Sequence, residues 1–408
     1  MSRIRSYFGE FSAAGHSPTL CTSLFYFDMC FAVWVLNGAM APYISEAYGL
    51  SPAQTGFMVS VPVVAGALLR LPLGILSEYI GRKNAALLNM AIVIAGLLFG
   101  FTFADTYRDV LLVGILLGVA GASFGVALSL GSGSFPARYK GMVMGIVGAG
   151  NSGAVLAVLF APPLARAYGW QHVYGVAVLP MALAFVLLLL LAREPEDRDR
   201  KPLRDYLKLL FDRDIWIFNL MYMVTFGGYI GLTSFLPTLF HDQYGIAKES
   251  IGPYAAATII AASVLRVVGG SLADRIGGLR MLVALAAVIA AASIAAATMP
   301  AKPWLMVAIL ILCFGAMGAG NGAVFQLVAL RFKSATATAS SLIGEIGALA
   351  GGLLPNAMGI GKEVTGSFAP GFLCGLLLSA AALLALLAVT RRWTSSWIGE
   401  GGRALDAA

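Results

Sequence analysis

The sequence predicts an all-α integral membrane protein of twelve transmembrane helices, arranged as two pseudo-symmetric six-helix bundles. Three observations carry this reading. The 408-residue chain is 59% hydrophobic and 12% charged, against about 25% charged in an average soluble domain. It divides into twelve apolar stretches, each near the roughly 20 residues that cross hydrocarbon. An arginine inside the second stretch, Arg70, recurs with its surroundings as Arg266 in the eighth, 196 positions later. Lipid offers the backbone no hydrogen-bond partner, so every span is expected to be helix.

Taken in order, the spans cover 20–44, 54–77, 85–104, 109–134, 141–165 and 171–192, then 214–240, 252–273, 280–299, 303–330, 337–359 and 369–390. The first carries Asp28, close behind Phe25-Tyr-Phe, a second proton-coupling candidate for which a fixed hydrogen-bonding role is expected ahead of transport. The second holds Arg70-Leu-Pro-Leu-Gly74-Ile-Leu-Ser-Glu78, and the eighth holds Arg266-Val-Val-Gly-Gly270-Ser-Leu-Ala-Asp274. A guanidinium at membrane depth costs roughly 3 kcal/mol or more, so it persists where it faces a cavity or a partner. A symmetry-related pair suggests a central anion site. The fifth span carries Gly145-Ile-Val-Gly148-Ala-Gly150-Asn151-Ser-Gly153, and the eleventh carries Gly344-Glu345-Ile-Gly347-Ala-Leu-Ala-Gly351-Gly352. Such glycine density weakens a soluble helix. In a membrane it permits close helix approach, which suffices for most of these glycines. Packing does not require Asn151, whose amide could donate to an anion's oxygen.

Between the sixth and seventh spans lies Arg193-Glu-Pro-Glu-Asp-Arg-Asp-Arg-Lys-Pro202, continuing to about Arg213, with the composition of a solvated linker. The predicted organisation is therefore a first bundle over 1–192, a cytoplasmic linker over 193–213, and a second bundle over 214–408 with a short tail. Of the 27 Lys and Arg residues, 20 fall on the N-terminal side, including Arg3, Arg5, Arg82, Lys83, Arg138, Lys140, Arg275, Arg280, Arg391 and Arg392. Five fall on the opposite side: Arg108, Arg166, Lys248, Lys302 and Lys362. Positive residues mark the cytoplasmic face, so both termini are expected inside the cell's inner membrane. The net charge of +7 is a topology signal and calls for no nucleic acid. Arg3 and Arg5 precede a long first span with no small-residue cleavage site, so that span is expected to be retained. Cys21, Cys30, Cys313 and Cys374 lack metal spacing and read as free thiols.

Parallel six-span halves, each with nested three-span repeats, describe the major facilitator architecture. The resemblance is specific. Its cytoplasmic signature is similar to Gly74-Ile-Leu-Ser-Glu78-Tyr79-Ile-Gly81-Arg82-Lys83, with Glu for Asp and Tyr79 for a basic residue. A second copy reads Gly270-Ser-Leu-Ala-Asp274-Arg275-Ile-Gly-Gly278. A carboxylate at a helix end and basic residues on the next loop can form a charge relay that favours one docking of the halves.

The glycine runs resemble the signatures of the nitrate/nitrite porter family within that superfamily, and the likeness extends from about Phe25 to about Gly359. The run Gly148 to Gly153 is its most specific part. The resemblance implies that Arg70 and Arg266 clamp the anion, with Asn151 beside them and Phe124, Tyr222 and Phe226 as the aromatic residues of the site. It also draws Gly148, Gly150 and Gly347 into that site, whereas Glu345 has no counterpart to carry over. The chemistry agrees, because nitrate is planar and a guanidinium fork matches planar oxygens bidentately. Tyr222 and Phe226 are four apart, hence on one helix face, where flat rings could bracket a flat ion.

Two arginines are not balanced by one nitrate. The ionisable residues well inside spans add only Asp28 and Glu345. Glu345, in a low-dielectric glycine run, is a carboxylate that can be neutral or charged, and it is the expected proton carrier. A standing ion pair with an arginine remains open for it. The expected function is import of nitrate by alternating access coupled to protons, with nitrate/nitrite exchange as the rival. A carboxylate or oxalate-type antiporter would also want paired arginines, but in a roomier cavity. A sensor would need a larger cytoplasmic output segment than the central loop and tail supply. His16, His172 and His241 lie at or beyond span ends without ligand spacing. No nucleophile motif or phosphate loop appears, so neither an enzyme nor a cofactor is expected. The expected partners are nitrate or nitrite, protons and the lipid bilayer, with the chain acting as a monomer.

Overall fold

The computed structural model describes residues 11, 14–136, 139–195, 208–333 and 335–403. Helix α1 runs as three successive pieces, Ser17–Trp34, Leu36–Ala39 and Ala41–Tyr48. It is followed by α2 (Pro52–Ile80), α3 (Arg82–Phe103), and α4 (Tyr107–Gly121 continuing as Ser123–Gly133). Helix α5 joins Lys140–Gly148 to Gly153–Tyr168 through a 3-10 turn, Ala149–Ser152, and α6 is Trp170–Leu191. Helix α7 joins Arg213–Tyr222 to Gly228–Tyr244 through a π-helical turn, Met223–Gly227. The remainder are α8 (Gly252–Ile276), α9 (Gly278–Ala297), α10 (Pro303–Arg331), α11 (Thr336–Thr365) and α12 (Ala369–Thr394).

Eleven of these helices, α2 to α12, are long and apolar enough to cross a membrane. The first differs from the single span expected over 20–44, because its backbone is interrupted at Val35 and Met40. Pro42 supplies no N–H to continue the ladder, and hydropathy is blind to a broken ladder inside an apolar run. Helices α2, α5, α7, α8, α10, α11 and α12 end past their predicted limits, since helical hydrogen bonding continues after the apolar window ends, whereas α3, α4, α6 and α9 stop just short of theirs.

Local chemistry sets the boundaries. Ser51 and Gln54 form a capping box ahead of α2, with Pro52 at its first turn. Thr106 and Asp109 do the same for α4. Gly49 ends α1 at φ 59° and Gly245 ends α7 at φ 63°. Gly81 turns α2 into α3 at φ 95°, and Gly277 turns α8 into α9 at φ 98°. Residues with a Cβ rarely adopt such angles. Both pairs keep the spacing of Arg70 and Arg266, so the internal repeat extends to backbone conformation.

Helix α2 lies against α11, α5 against α8, and α1 against α7, while α6 packs on α3 and α12 on α9. Leu98, Leu190, Ile294 and Leu384, on those last four helices, are exposed, as suits a hydrocarbon surround.

At the face predicted to be outside, the first six and last six helices are in direct contact. A Cβ at Gly38 would stand 2.2 Å from the Ser234 carbonyl oxygen. One at Gly56 would meet the Pro355 oxygen at 2.4 Å, and one at Gly359 the Pro52 oxygen at 2.3 Å. Glu363 of α11 accepts from Ser51 Oγ at 2.6 Å and from the Ala53 N–H at 3.0 Å. Lys248 pairs with Glu46, and Arg166 with Glu249, across the same seam. At the opposite face the ion pairs between described residues stay within one set of six. They are Glu78 with Arg82, Arg280 with Glu400, Arg331 with Asp212 and Asp214, and Arg392 with Asp214. Among the described residues, the ion pairs that join the two sets thus lie at one face.

Most of the predicted linker, 196–207, lies outside the described residues, as do Arg3, Arg5, Arg138 and the tail beyond Arg403. Residue Glu194, expected as part of a solvated loop, instead caps α3. Its carboxylate accepts from the Arg82 and Lys83 N–H groups, both at 2.8 Å, a favoured place for negative charge.

Candidate functional site

Halfway along the bundle, α1, α2, α4, α7, α8 and α11 bring two cations and a set of rings together. Arg70 is buried. Its Nε donates to the Gly121 carbonyl at 3.0 Å, and its Nη1 to the Gly344 carbonyl on α11 at 2.7 Å. The second bond crosses between the two sets of helices. Three rings flank the guanidinium: Phe226 at 4.9 Å, Trp34 at 5.2 Å and Phe124 at 5.7 Å from Cζ to centroid. Arg266 faces the same Phe124 at 5.5 Å. Aromatic faces attract a desolvated cation but do not neutralise it. Arg70 Nη2 and Arg266 Nη1 are both buried without a hydrogen-bond partner among the described residues. Buried donors of this kind are rare enough to call for an explanation.

Trp34 was not singled out by the sequence reading. Its Nε1 donates to the Pro62 carbonyl at 2.8 Å, and its indole occupies space left by glycines. A Cβ at Gly121 would meet it at 2.3 Å, and one at Gly66 at 2.6 Å. Tryptophan is enriched at the ends of membrane spans, so one in mid-span was the available signal.

Tyr222 and Phe226 do share a face of α7, and they stack on each other, 5.1 Å apart and 8° from parallel. They therefore bracket nothing between them and form one aromatic wall, and the Arg70 guanidinium lies near both Phe226 of that wall and Phe124. The Tyr222 hydroxyl is buried without a partner among the described residues. A Cβ at Gly347 would stand 2.5 Å from the Tyr222 ring, so that glycine serves the approach of α11 to the wall.

The α5 glycines divide by role. Gly150 and Gly153 let α1 approach, since a Cβ there would meet Phe27 at 2.8 Å and the Asp28 oxygen at 1.9 Å. Gly148 is buried, yet its Cβ position has open space around it, so it borders an interior gap. Asn151 is buried. In the amide orientation that satisfies its surroundings, its nitrogen donates to the carbonyls of Gly148 at 3.1 Å and Ala149 at 3.3 Å. The amide expected to reach for an anion is thus directed at its own helix.

Glu345 follows Gly344 on α11. It makes no ion pair within 4.0 Å of either arginine among the described residues, and its Oε2 is buried without a partner. The standing ion pair left open by the sequence is not formed. Asp28 lies at the α1–α5 contact and accepts from Ser152 Oγ at 2.9 Å.

The two signature copies behave differently. In the first, Arg82 is buried and lies 3.9 Å from Glu78. It also donates to the Ser129 carbonyl at 3.2 Å, while Lys83 Nζ bonds the Leu189 and Ala192 carbonyls, each at 2.8 Å. Gly74 has open space around its Cβ position. In the second copy Asp274 and Arg275 are exposed and Gly270 is half-buried. The turn Glu400–Gly402 covers Gly277 there, as Glu194 covers Gly81 in the first.

Comparison with known proteins gives a consistent setting. The model of the Major Facilitator Superfamily matches residues 22–355. A "nitrite extrusion protein" of Bacillus subtilis is 28% identical over 366 residues, covering 88% of this chain and 90% of that protein. A "probable nitrate/nitrite antiporter NarK1" of Thermus thermophilus is 31% identical, covering 88% of each chain. A "probable nitrate transporter NarT" of Staphylococcus haemolyticus is 28% identical over 88% of this chain and 92% of that one. The solved structure of a bacterial homologue of the human lysosomal transporter Spinster shares the fold. Its TM-score is 0.74 at 17% identity, over 94% of this chain and 98% of that one.

Proposed function

The chain belongs to the Major Facilitator Superfamily, and within it to the nitrate/nitrite porters, and on that premise we propose that it imports nitrate by alternating access, coupled to protons. One observation carries the reading. Two guanidinium donors, Arg70 Nη2 and Arg266 Nη1, come from opposite sets of six helices, flank one phenylalanine and are buried without partners among the described residues. A small anion accepting from both would satisfy them and offset part of their charge. The flat walls of Phe124 and Phe226 favour a planar ion over a tetrahedral one.

The two sets of six helices, 1–192 and 214–408, rock about this site as rigid halves in a multi-pass cell-membrane protein with both termini inside, acting as a monomer. The contacts across the outer seam support a state in which that face is the closed one. Glu345, beside the carbonyl that Arg70 engages, carries the proton. That it is not tied to either arginine supports this role over a fixed ion pair. Exchange of nitrate for nitrite is the second reading, favoured by the likeness to the Thermus nitrate/nitrite antiporter.

Equilibrium binding to purified protein tests the cargo. Nitrate and nitrite are expected to bind, while oxalate and sulfate at the same concentrations do not. Binding of oxalate as tightly as nitrate would replace this reading with a dicarboxylate carrier.

A further inference from the structure

Tyr229 sits at the junction of the two interrupted helices, just beyond the π-helical part of α7 and facing the 3-10 part of α5. It is fully buried, and its hydroxyl donates to the main-chain carbonyl of Asn151 at 3.3 Å. This bond crosses from the last six helices to the first six. Three rings fix the phenol independently of that bond. Phe314 lies at 5.8 Å, Phe31 at 6.2 Å and Phe226 at 6.3 Å between centroids. Arg266 is the charged group beside it, and Ser263 of α8, the Asn151 side chain of α5 and Thr233 of α7 border the same hydroxyl.

We propose that the Tyr229 hydroxyl is a positioning group for the anion site. It holds the interrupted stretch of α5 in the register that turns Gly148 toward the interior gap. Asn151 is then fixed from two sides, its side chain by the Gly148 and Ala149 carbonyls and its own carbonyl by Tyr229. The same bond joins the two sets of helices, so the interrupted stretch of α5 is held in this register only while the halves are docked. An anion that bridges Arg70 and Arg266 favours that docking, and Tyr229 conveys it to α5. This inference rests on the reading of the arginine cluster as the nitrate site.

The test is Tyr229→Phe, which keeps the ring and its three neighbours and removes one oxygen. Nitrate binding, KM, kcat and melting temperature are measured beside wild type and Arg70→Lys. Loss of a single net hydrogen bond predicts binding weaker by about fivefold. KM rises by the same factor and kcat is not lowered, because the link no longer has to break. Unchanged nitrate affinity in Tyr229→Phe, with or without a lower melting temperature, overturns the inference. If Arg70→Lys also binds nitrate like wild type, the underlying site assignment falls with it. If Arg70→Lys loses binding while Tyr229→Phe does not, only the inference falls.

Discussion

Arg70→Ala lowers nitrate affinity by roughly 100-fold, the scale of one or two charge-assisted hydrogen bonds lost from a desolvated site. The variant also removes the bond to the Gly344 carbonyl, which joins α2 to α11. Arg70→Lys restores the charge and little of the affinity. An ammonium cannot donate in a plane to Gly121 and Gly344 while presenting a third N–H to the ligand. Titration of nitrate into purified, monodisperse variant protein measures this. Affinity within threefold of wild type in Arg70→Ala would remove Arg70 from the site.

Glu345→Gln is expected to uncouple transport from protons. The amide approximates the protonated carboxyl in shape and charge, so nitrate still binds and nitrate-for-nitrate exchange continues. Net uptake driven by a proton gradient falls at least tenfold, because the carrier no longer releases a proton on the inner side. The absence of an ion pair between Glu345 and either arginine makes a general collapse of the site unexpected. Full dependence of Glu345→Gln on the proton gradient would exclude this residue as the carrier.

Much of this was legible in the sequence because membranes restrict the options. Arg70 and Arg266 stood out because charge in an apolar run is costly, and their spacing revealed the repeat before any contact was known. The left-handed glycines Gly49 and Gly245, and Gly81 and Gly277, obey the same spacing. The first helix was less legible, since its breaks at Val35 and Met40 leave hydropathy unchanged. Glu194 was misjudged because a charge run has one composition whether solvated or capping a helix 112 residues away in sequence. Tyr229 was silent for a related reason. An aromatic residue in an apolar helix gives no sign of which carbonyl its polar atom will find. Asn151 was recognised as a polar exception, but the direction of its amide depends on local 3-10 geometry, which composition does not encode.

The central claim is nitrate import driven by protons, and uptake by purified protein in sealed liposomes tests it most directly. An inward proton gradient is imposed at clamped voltage, with lumens either empty or loaded with nitrite. The account predicts nitrate accumulation in empty vesicles, abolished by an uncoupler. Accumulation that requires nitrite inside and ignores the uncoupler would contradict it and make the protein an exchanger.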